Sequence, residues 1–266
     1  MKLLITGGSG YIGSYLAKYY REYGHHVLAP SSSELDLTDL SATTNYMTAH
    51  PVDCIINAAF YGREMIHNPD ENFYIKNFAM FGNLLNQNRY YKNFVHLGSG
   101  YEYDNERNID YADEDDILYV EPKQPYASLK HKQTMHLLER DNCYNIRLFG
   151  LAHYTEPSNR FFKRLMNEDK LIISEDRKHD FFNLEDVPTV IDLVLNNQMR
   201  HKAINCVYET KYTLSQQAKI FCDIKGLDYS KIIVENTSNR GYTGSNLKIK
   251  EYNLPLLGLE LAMLGY

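Results

Sequence analysis

Tyr126 and Lys130 are the two residues of this chain whose spacing suggests chemistry most directly. Set i, i+4 in a segment that starts at Pro125, they fall on one face of a helix. An ammonium beside a phenol favours the phenolate and lowers a pKa that otherwise lies near about 10. Such a tyrosine can donate a proton to a carbonyl oxygen as hydride arrives, or take one from an alcohol. Ser99, directly after the apolar run Phe94 to Gly98, offers a hydroxyl to the same oxygen. Alone, Y-x-x-x-K is a frequent accident on helix surfaces. It gains weight here from Ser99 and from a glycine turn near the N-terminus.

That turn, Thr6-Gly7-Gly8-Ser9-Gly10-Tyr11-Ile12-Gly13, follows a strand and opens a helix. In that context Gly7 permits a tight exit from the strand and Gly10 lets backbone approach a pyrophosphate. Gly13 lets the helix pack close to the sheet, and the helix N-terminus supplies free N–H groups. The expectation is a dinucleotide site. A second strand, His26 to Ala29, ends in Pro30-Ser31-Ser32-Ser33 and not in the carboxylate that holds a ribose 2′-hydroxyl in NAD binders. Three hydroxyls there favour NADP(H), with NAD(H) as the alternative.

Along the chain, strand-length apolar runs alternate with helical patterns. Strands are expected at Lys2–Thr6, His26–Ala29, Cys54–Ala58, Phe94–Gly98 and Cys143–Phe149, and helices at Tyr11–Tyr23, Leu40–His50, Asn72–Asn88 and Pro125–Arg140. Such βαβ units imply an α/β fold, a Rossmann-type doubly wound parallel sheet with ligands at the carboxyl ends of its strands. After Gly150 the rhythm breaks up: Phe161–Met166 and Asp186–Leu195 read as helices, Leu171–Ser174 and Ala203–Tyr208 as strands. The expected organisation is a dinucleotide-binding domain over residues 1–150 and a small C-terminal substrate-binding lobe over 151–266, with roughly 175–200 returning to the first domain.

The bulk numbers exclude several classes. A net charge of −6 argues against a nucleic-acid surface, and no apolar stretch is long enough for a membrane span. The acidic run Asp113 to Asp116 reads as a solvated loop, and no metal site is expected. Cys54, Cys143, Cys206 and Cys222 are widely spaced, as reduced thiols are, which points to the cytoplasm.

The G-x-x-G-x-x-G spacing, Ser99 and Tyr126-Ala127-Ser128-Leu129-Lys130 together resemble the extended short-chain dehydrogenase/reductases, the NAD-dependent epimerase/dehydratase family, over roughly the first 190 residues. Arg147-Leu148-Phe149-Gly150, the segment Asp180 to Val187 and Tyr242 to Asn246 add to the likeness. The resemblance implies a role for Asp36 and Leu37 at the adenine and places Asn57, Ala58, Ala59 and Phe149 along the cofactor. It puts Asn77 in a bracing position and gives Lys130 a second role at the nicotinamide ribose. It also implies a nucleotide-diphosphate sugar as substrate and a possible homodimer through the long helices.

Within that family the residues after Ser99 discriminate. Sugar-nucleotide 4,6-dehydratases carry Asp-Glu there, whereas this chain has Gly100 and Tyr101. GDP-L-fucose synthases epimerise with a Cys two places after the Ser and a His two places after a P-S-N asparagine. Here those places hold Tyr101 and Phe161, after Pro157-Ser158-Asn159. A tyrosine in the first place is similar to the dTDP-4-dehydrorhamnose reductases. The reading is an NADPH-dependent reduction at C4 of a 4-keto-6-deoxy nucleotide sugar, with Ser99, Gly100, Tyr101, Tyr126, Asn159 and Arg160 at the substrate. Arg147, Lys163 and Arg164 are further candidates for its diphosphate. The rivals are an NAD-dependent 4-epimerase and a non-enzymatic NAD(P)-sensing protein.

Overall fold

The computed structural model describes residues 1–266 except 63–65, 67 and 105. Thirteen strands are assigned: β1 (Lys2–Thr6), β2 (His26–Leu28), β3 (Cys54–Asn57), β4 (Asn93–Ser99), β5 (Ile109–Ala112), β6 (Cys143–Leu148), β7 (Leu151–Ala152), β8 (Leu171–Ile173), β9 (Asp176–His179), β10 (Phe182–Asn183), β11 (Ala203–Cys206), β12 (Ile232–Val234) and β13 (Thr237–Gly244). The helices are α1 (Tyr11–Glu22), α2 (Leu40–Ala49), α3 (Asn72–Leu85), α4 (Pro125–Leu138), α5 (Phe161–Asn167), α6 (Val187–Leu195), α7 (Leu214–Lys225), α8 (Leu247–Lys250) and α9 (Leu259–Leu264).

Six strands form one parallel sheet in the order β11-β6-β4-β3-β1-β2. The order reverses between β1 and β3, which leaves a crevice at their carboxyl ends. Both faces are covered, so the strands read as unbroken apolar runs. Leu3, Ile5, Ile56 and Val95 pack with α1 and α6 through Leu16, Tyr20, Val187, Val190 and Val194. Leu4, Ile55 and Phe94, one residue out of phase, pack with α2, α3 and α4 through Met47, Phe81, Leu84 and Leu137. Local chemistry sets the helix starts: Asp39 accepts from Ser41 and Ala42 N–H at the head of α2, and Pro125 occupies the first turn of α4.

Smaller sheets carry the rest: β5-β13-β9, β12-β8 and β10-β7. Of the stretch expected to return to the first domain, roughly 175–200, part lies on the main sheet and part does not. α6 packs on it and β11 is its edge strand, whereas β9, at 176–179, belongs to the small three-stranded sheet. The acidic run also departs from expectation. Residues 114–119 form a 3₁₀ turn capped by Asp113, and Glu114 points inward, where its carboxylate accepts the Asn205 N–H at 2.7 Å. All four cysteines are buried free thiols. Among the described residues no helix is long and apolar enough to cross a membrane.

Candidate active site

A cleft of about 700 Å³ opens at the carboxyl ends of the central strands, lined on one side by Gly7, Ser9, Gly10, Tyr11, Ile12 and Gly13. Gly7 takes φ +70°, and a Cβ on Gly13 would lie 2.2 Å from the Gly7 carbonyl oxygen, so neither position tolerates a side chain. Gly10 is the N-cap of α1, provides no side chain to cap it, and no acid occupies the first turn. Backbone N–H groups at this terminus therefore suit an anion such as a diphosphate.

Ser99 ends β4 and is held in place by the turn at Gly100–Tyr103. The Glu102 carboxylate accepts the Ser99 N–H at 2.7 Å, and Ser99 Oγ accepts the Tyr101 N–H at 3.2 Å, which closes a capping box. Glu102 is fully buried, and its other oxygen accepts from Thr134 Oγ1 (2.8 Å), Asn145 Nδ2 (3.0 Å) and Arg147 Nε (2.9 Å). One carboxylate thus ties Ser99 to α4, which carries Tyr126 and Lys130, and to β6. Arg147, a candidate for the substrate diphosphate by sequence, is instead locked in this interior network and also donates to Asn205. It is not available to a ligand.

Tyr126 stands in the cleft with its ring edge-on to Phe60 at 5.4 Å and to Tyr101 at 5.7 Å. Burial pushes its phenol up to about 12, although the Ser99 hydroxyl works the other way. The expected lowering by Lys130 is not seen, because Lys130 Nζ is turned to the Leu97 carbonyl (2.9 Å) and to His96 Nε2 (3.4 Å). A phenol held protonated suits proton donation. Burial also pulls the Lys130 ammonium down to about 8, against the Glu102 charge.

This shift bears on stability. Lys130 ionises less readily folded than unfolded, so between about pH 8 and 10.5 the unfolded chain binds more protons and stability rises with pH. Wild type should gain on the order of 2 kcal/mol over Lys130→Met between about pH 7.5 and about pH 10, measured by urea unfolding. Parallel pH curves for the two proteins would contradict the assignment.

Other sequence candidates separate into two groups. Ala58, Phe149, Asn159, Arg160 and Arg164 line the cleft, with Ser99, Tyr101, Tyr126 and Lys130. Thr6 and Asn57 lie in the interior: Thr6 Oγ1 donates to Asn57 Oδ1 at 2.7 Å, and Asn57 Nδ2 meets His96 Nδ1 at 3.1 Å. Ala59 N–H donates to the same Asn57 oxygen. Asn77 clamps the loop after β3, exchanging two 3.0 Å hydrogen bonds with the Tyr61 backbone. Asp36 accepts from Thr38 Oγ1 and N–H, and the Leu37 side chain is in the core. Gly100 accommodates the Phe149 ring, 2.4 Å from where its Cβ would be. Lys163 donates its N–H to Glu156.

The turn after β2 holds a carboxylate as well as the three hydroxyls. Glu34 folds back so that its carboxylate accepts the Ser31 N–H and hydroxyl, both at 2.8 Å, and Ser31 and Ser33 hydroxyls are 2.9 Å apart. The serines, including exposed Ser32, therefore share the turn with a carboxylate that the position of Glu34 in the sequence conceals. Arg177 and His179 carry no signal of their own in the sequence, and Tyr242 stands out there only as part of the family-like segment Tyr242 to Asn246. Arg177 and His179 alternate along β9 onto the face lining the cleft, and Tyr242 joins them from β13, opposite His179 in register. Burial, with Arg177 and Arg160 nearby, drives His179 down to about 3, so it is neutral.

Known proteins share this fold. GDP-L-colitose synthase of Yersinia pseudotuberculosis is 32% identical over 108 residues, spanning 39% of this chain and only 35% of that protein. The GDP-mannoheptose C4 reductase of Campylobacter jejuni, solved with NADP bound, superposes with a TM-score of 0.84 at 16% identity, covering 99% of this chain and 96% of that one. The dTDP-4-dehydrorhamnose reductase of Clostridium acetobutylicum gives 0.82 at 18%, covering 100% and 98%. At such identities the structural likeness establishes the fold alone. The family model for the NAD dependent epimerase/dehydratase family matches residues 3–206, which hold the glycine turn, Ser99, Tyr126 and Lys130, and the chain belongs to that family.

Proposed function

We propose that the protein is an NADPH-dependent reductase acting at C4 of a 4-keto-6-deoxy nucleotide sugar. The observation that carries this reading is what the cleft contains. Ser99, Tyr126 and Lys130 converge there, while none of the described residues lining it is Asp, Glu or Cys, and its one imidazole is neutral. Elimination of water needs an added acid and base, and epimerisation beside a ketone needs a proton shuttle. Reduction needs neither.

The chain's own residues divide the work. The glycine turn and the α1 N-terminus hold the cofactor diphosphate. Bound NADPH supplies the hydride. Ser99 hydrogen-bonds the substrate carbonyl oxygen, and Tyr126 gives its phenolic proton to that oxygen as the carbonyl carbon is reduced to an alcohol. Lys130 would hold the nicotinamide ribose and, as an ammonium, would ease loss of the Tyr126 proton. Asn159, Arg160, Arg164 and Arg177 receive the substrate diphosphate.

The second reading is an NAD-dependent 4-epimerase, and Glu34 is the observation that favours it, since a carboxylate beside Ser31 suits a ribose 2′-hydroxyl better than a phosphate. Consumption of added NADPH with a panel of freshly made 4-keto nucleotide sugars supports the reductase. Purified protein that retains NAD and interconverts two sugars without added cofactor overturns it. The turn itself has its own test: Gly13→Ala is expected to weaken NADPH binding by at least about tenfold in a fluorescence titration, because backbone and not a mobile side chain must move.

A further inference from the structure

β13 delivers to the cleft a group that the reductase mechanism leaves unused. Tyr242 is only 2% exposed, yet it lines the cleft with Ser99, Tyr126 and Lys130. Its ring is fixed by neighbours on several sides. Tyr101 lies edge-on at 5.2 Å, Phe149 at 5.0 Å and His179 at 4.9 Å, with the Arg177 guanidinium 5.9 Å from the ring centre. Tyr101 touches both Tyr126 and Tyr242, so the three rings form one cluster in the cleft that Ser99 also lines.

Packing accounts for the ring and leaves the hydroxyl unexplained. A phenylalanine would fill the same space, so packing alone does not call for the hydroxyl. Burial, then the Tyr101 and Tyr126 phenols, raise the Tyr242 phenol, whereas the Ser99 hydroxyl, as it does for Tyr126, and the Arg177 guanidinium favour its ionised form. Burial nevertheless holds Tyr242 protonated. It can therefore donate a hydrogen bond but not remove a proton.

We propose that Tyr242 is a catalytic residue whose hydroxyl donates a hydrogen bond, beside that of Ser99, to the substrate oxygen that Tyr126 protonates. The proposal rests on the reductase reading. A ketone oxygen accepts two donors well, whereas the oxygen that gains charge as hydride arrives accepts three. The contact therefore strengthens toward the transition state and acts on kcat more than on substrate binding. No bond is made or broken at Tyr242. The smaller sheet thereby contributes directly to the chemistry, through a residue more than a hundred positions from Tyr126 in the chain.

Tyr242→Phe keeps the ring and removes only the hydroxyl. With NADPH and a 4-keto nucleotide sugar that wild type reduces, kcat should fall about 10-fold to 100-fold while KM for each changes by less than about threefold. Single-turnover rates normalised to NADPH-binding sites keep the comparison valid if part of the variant misfolds. Wild-type kcat, or a raised KM with kcat unchanged, overturns the proposal. Tyr126→Phe run in parallel separates the two claims. If its kcat is undiminished, Tyr126 is not the proton donor and the mechanism on which this proposal rests fails. If its kcat falls while that of Tyr242→Phe is unimpaired, only the role of Tyr242 fails.

Discussion

Tyr126→Phe is expected to lower kcat by about 10²-fold to 10⁴-fold while leaving the fold and NADPH binding intact. The substitution deletes one oxygen. The ring keeps its edge-on contacts with Phe60 and Tyr101, so no cavity opens. What disappears is the proposed proton donor, which burial holds in the protonated state needed for donation. Ser99 remains to polarise the carbonyl, so hydride transfer is slowed and not abolished. Steady-state rates alongside NADPH titration distinguish this from a binding defect: kcat falls and the NADPH Kd stays within about twofold. Undiminished turnover would remove Tyr126 from the chemistry.

The second large effect concerns Glu102. The Glu102–Arg147 pair is fully buried at 2.9 Å, and Glu102 takes three further hydrogen bonds from Ser99, Thr134 and Asn145. Replacing Glu102 by Ala leaves a guanidinium in the interior without its counter-charge and strands those donors. Breaking such a pair destabilises by about 3–5 kcal/mol. Glu102→Gln keeps the shape and part of the hydrogen bonding, so the loss should be smaller, about 1–3 kcal/mol. Because the same carboxylate fixes the Ser99 backbone, kcat in Glu102→Gln should fall even in the folded fraction. Urea unfolding and active-site-normalised rates check the two effects separately. Alanine at 102 with wild-type stability would contradict the electrostatic account.

Much of the fold was legible because its signals are local. Runs such as Lys2–Thr6 and Cys54–Asn57 are apolar throughout since both faces of the sheet are covered, and Asp39 and Pro125 mark helix starts by their own chemistry. The glycine turn, Ser99 and the Tyr126–Lys130 pair were legible for the same reason: each has a fixed spacing that backbone geometry dictates. What could not be read depends on contacts between distant segments. Arg147 resembles a ligand for phosphate until Glu102, 45 positions away, is seen to neutralise it. Glu34 looks like part of the next segment until it folds back on Ser31. Tyr242 belongs to a family-like segment, but its place at the cleft depends on the pairing of β13 with β5 and β9. The direction in which burial moves Tyr126 likewise requires the packed site, because sequence supplies the neighbouring cation but not the orientation of Nζ.

Net hydride transfer to C4, with a proton from Tyr126, is open to one direct measurement. NADPH deuterated at C4 of the nicotinamide is incubated with the protein and the 4-keto nucleotide sugar it consumes, and the product is examined by NMR. The predicted result is one deuterium at C4 of the sugar, one equivalent of NADP⁺ per sugar reduced, and no exchange at C3 or C5. Interconversion of sugars without oxidation of added NADPH, or label incorporated beside the carbonyl, would contradict it.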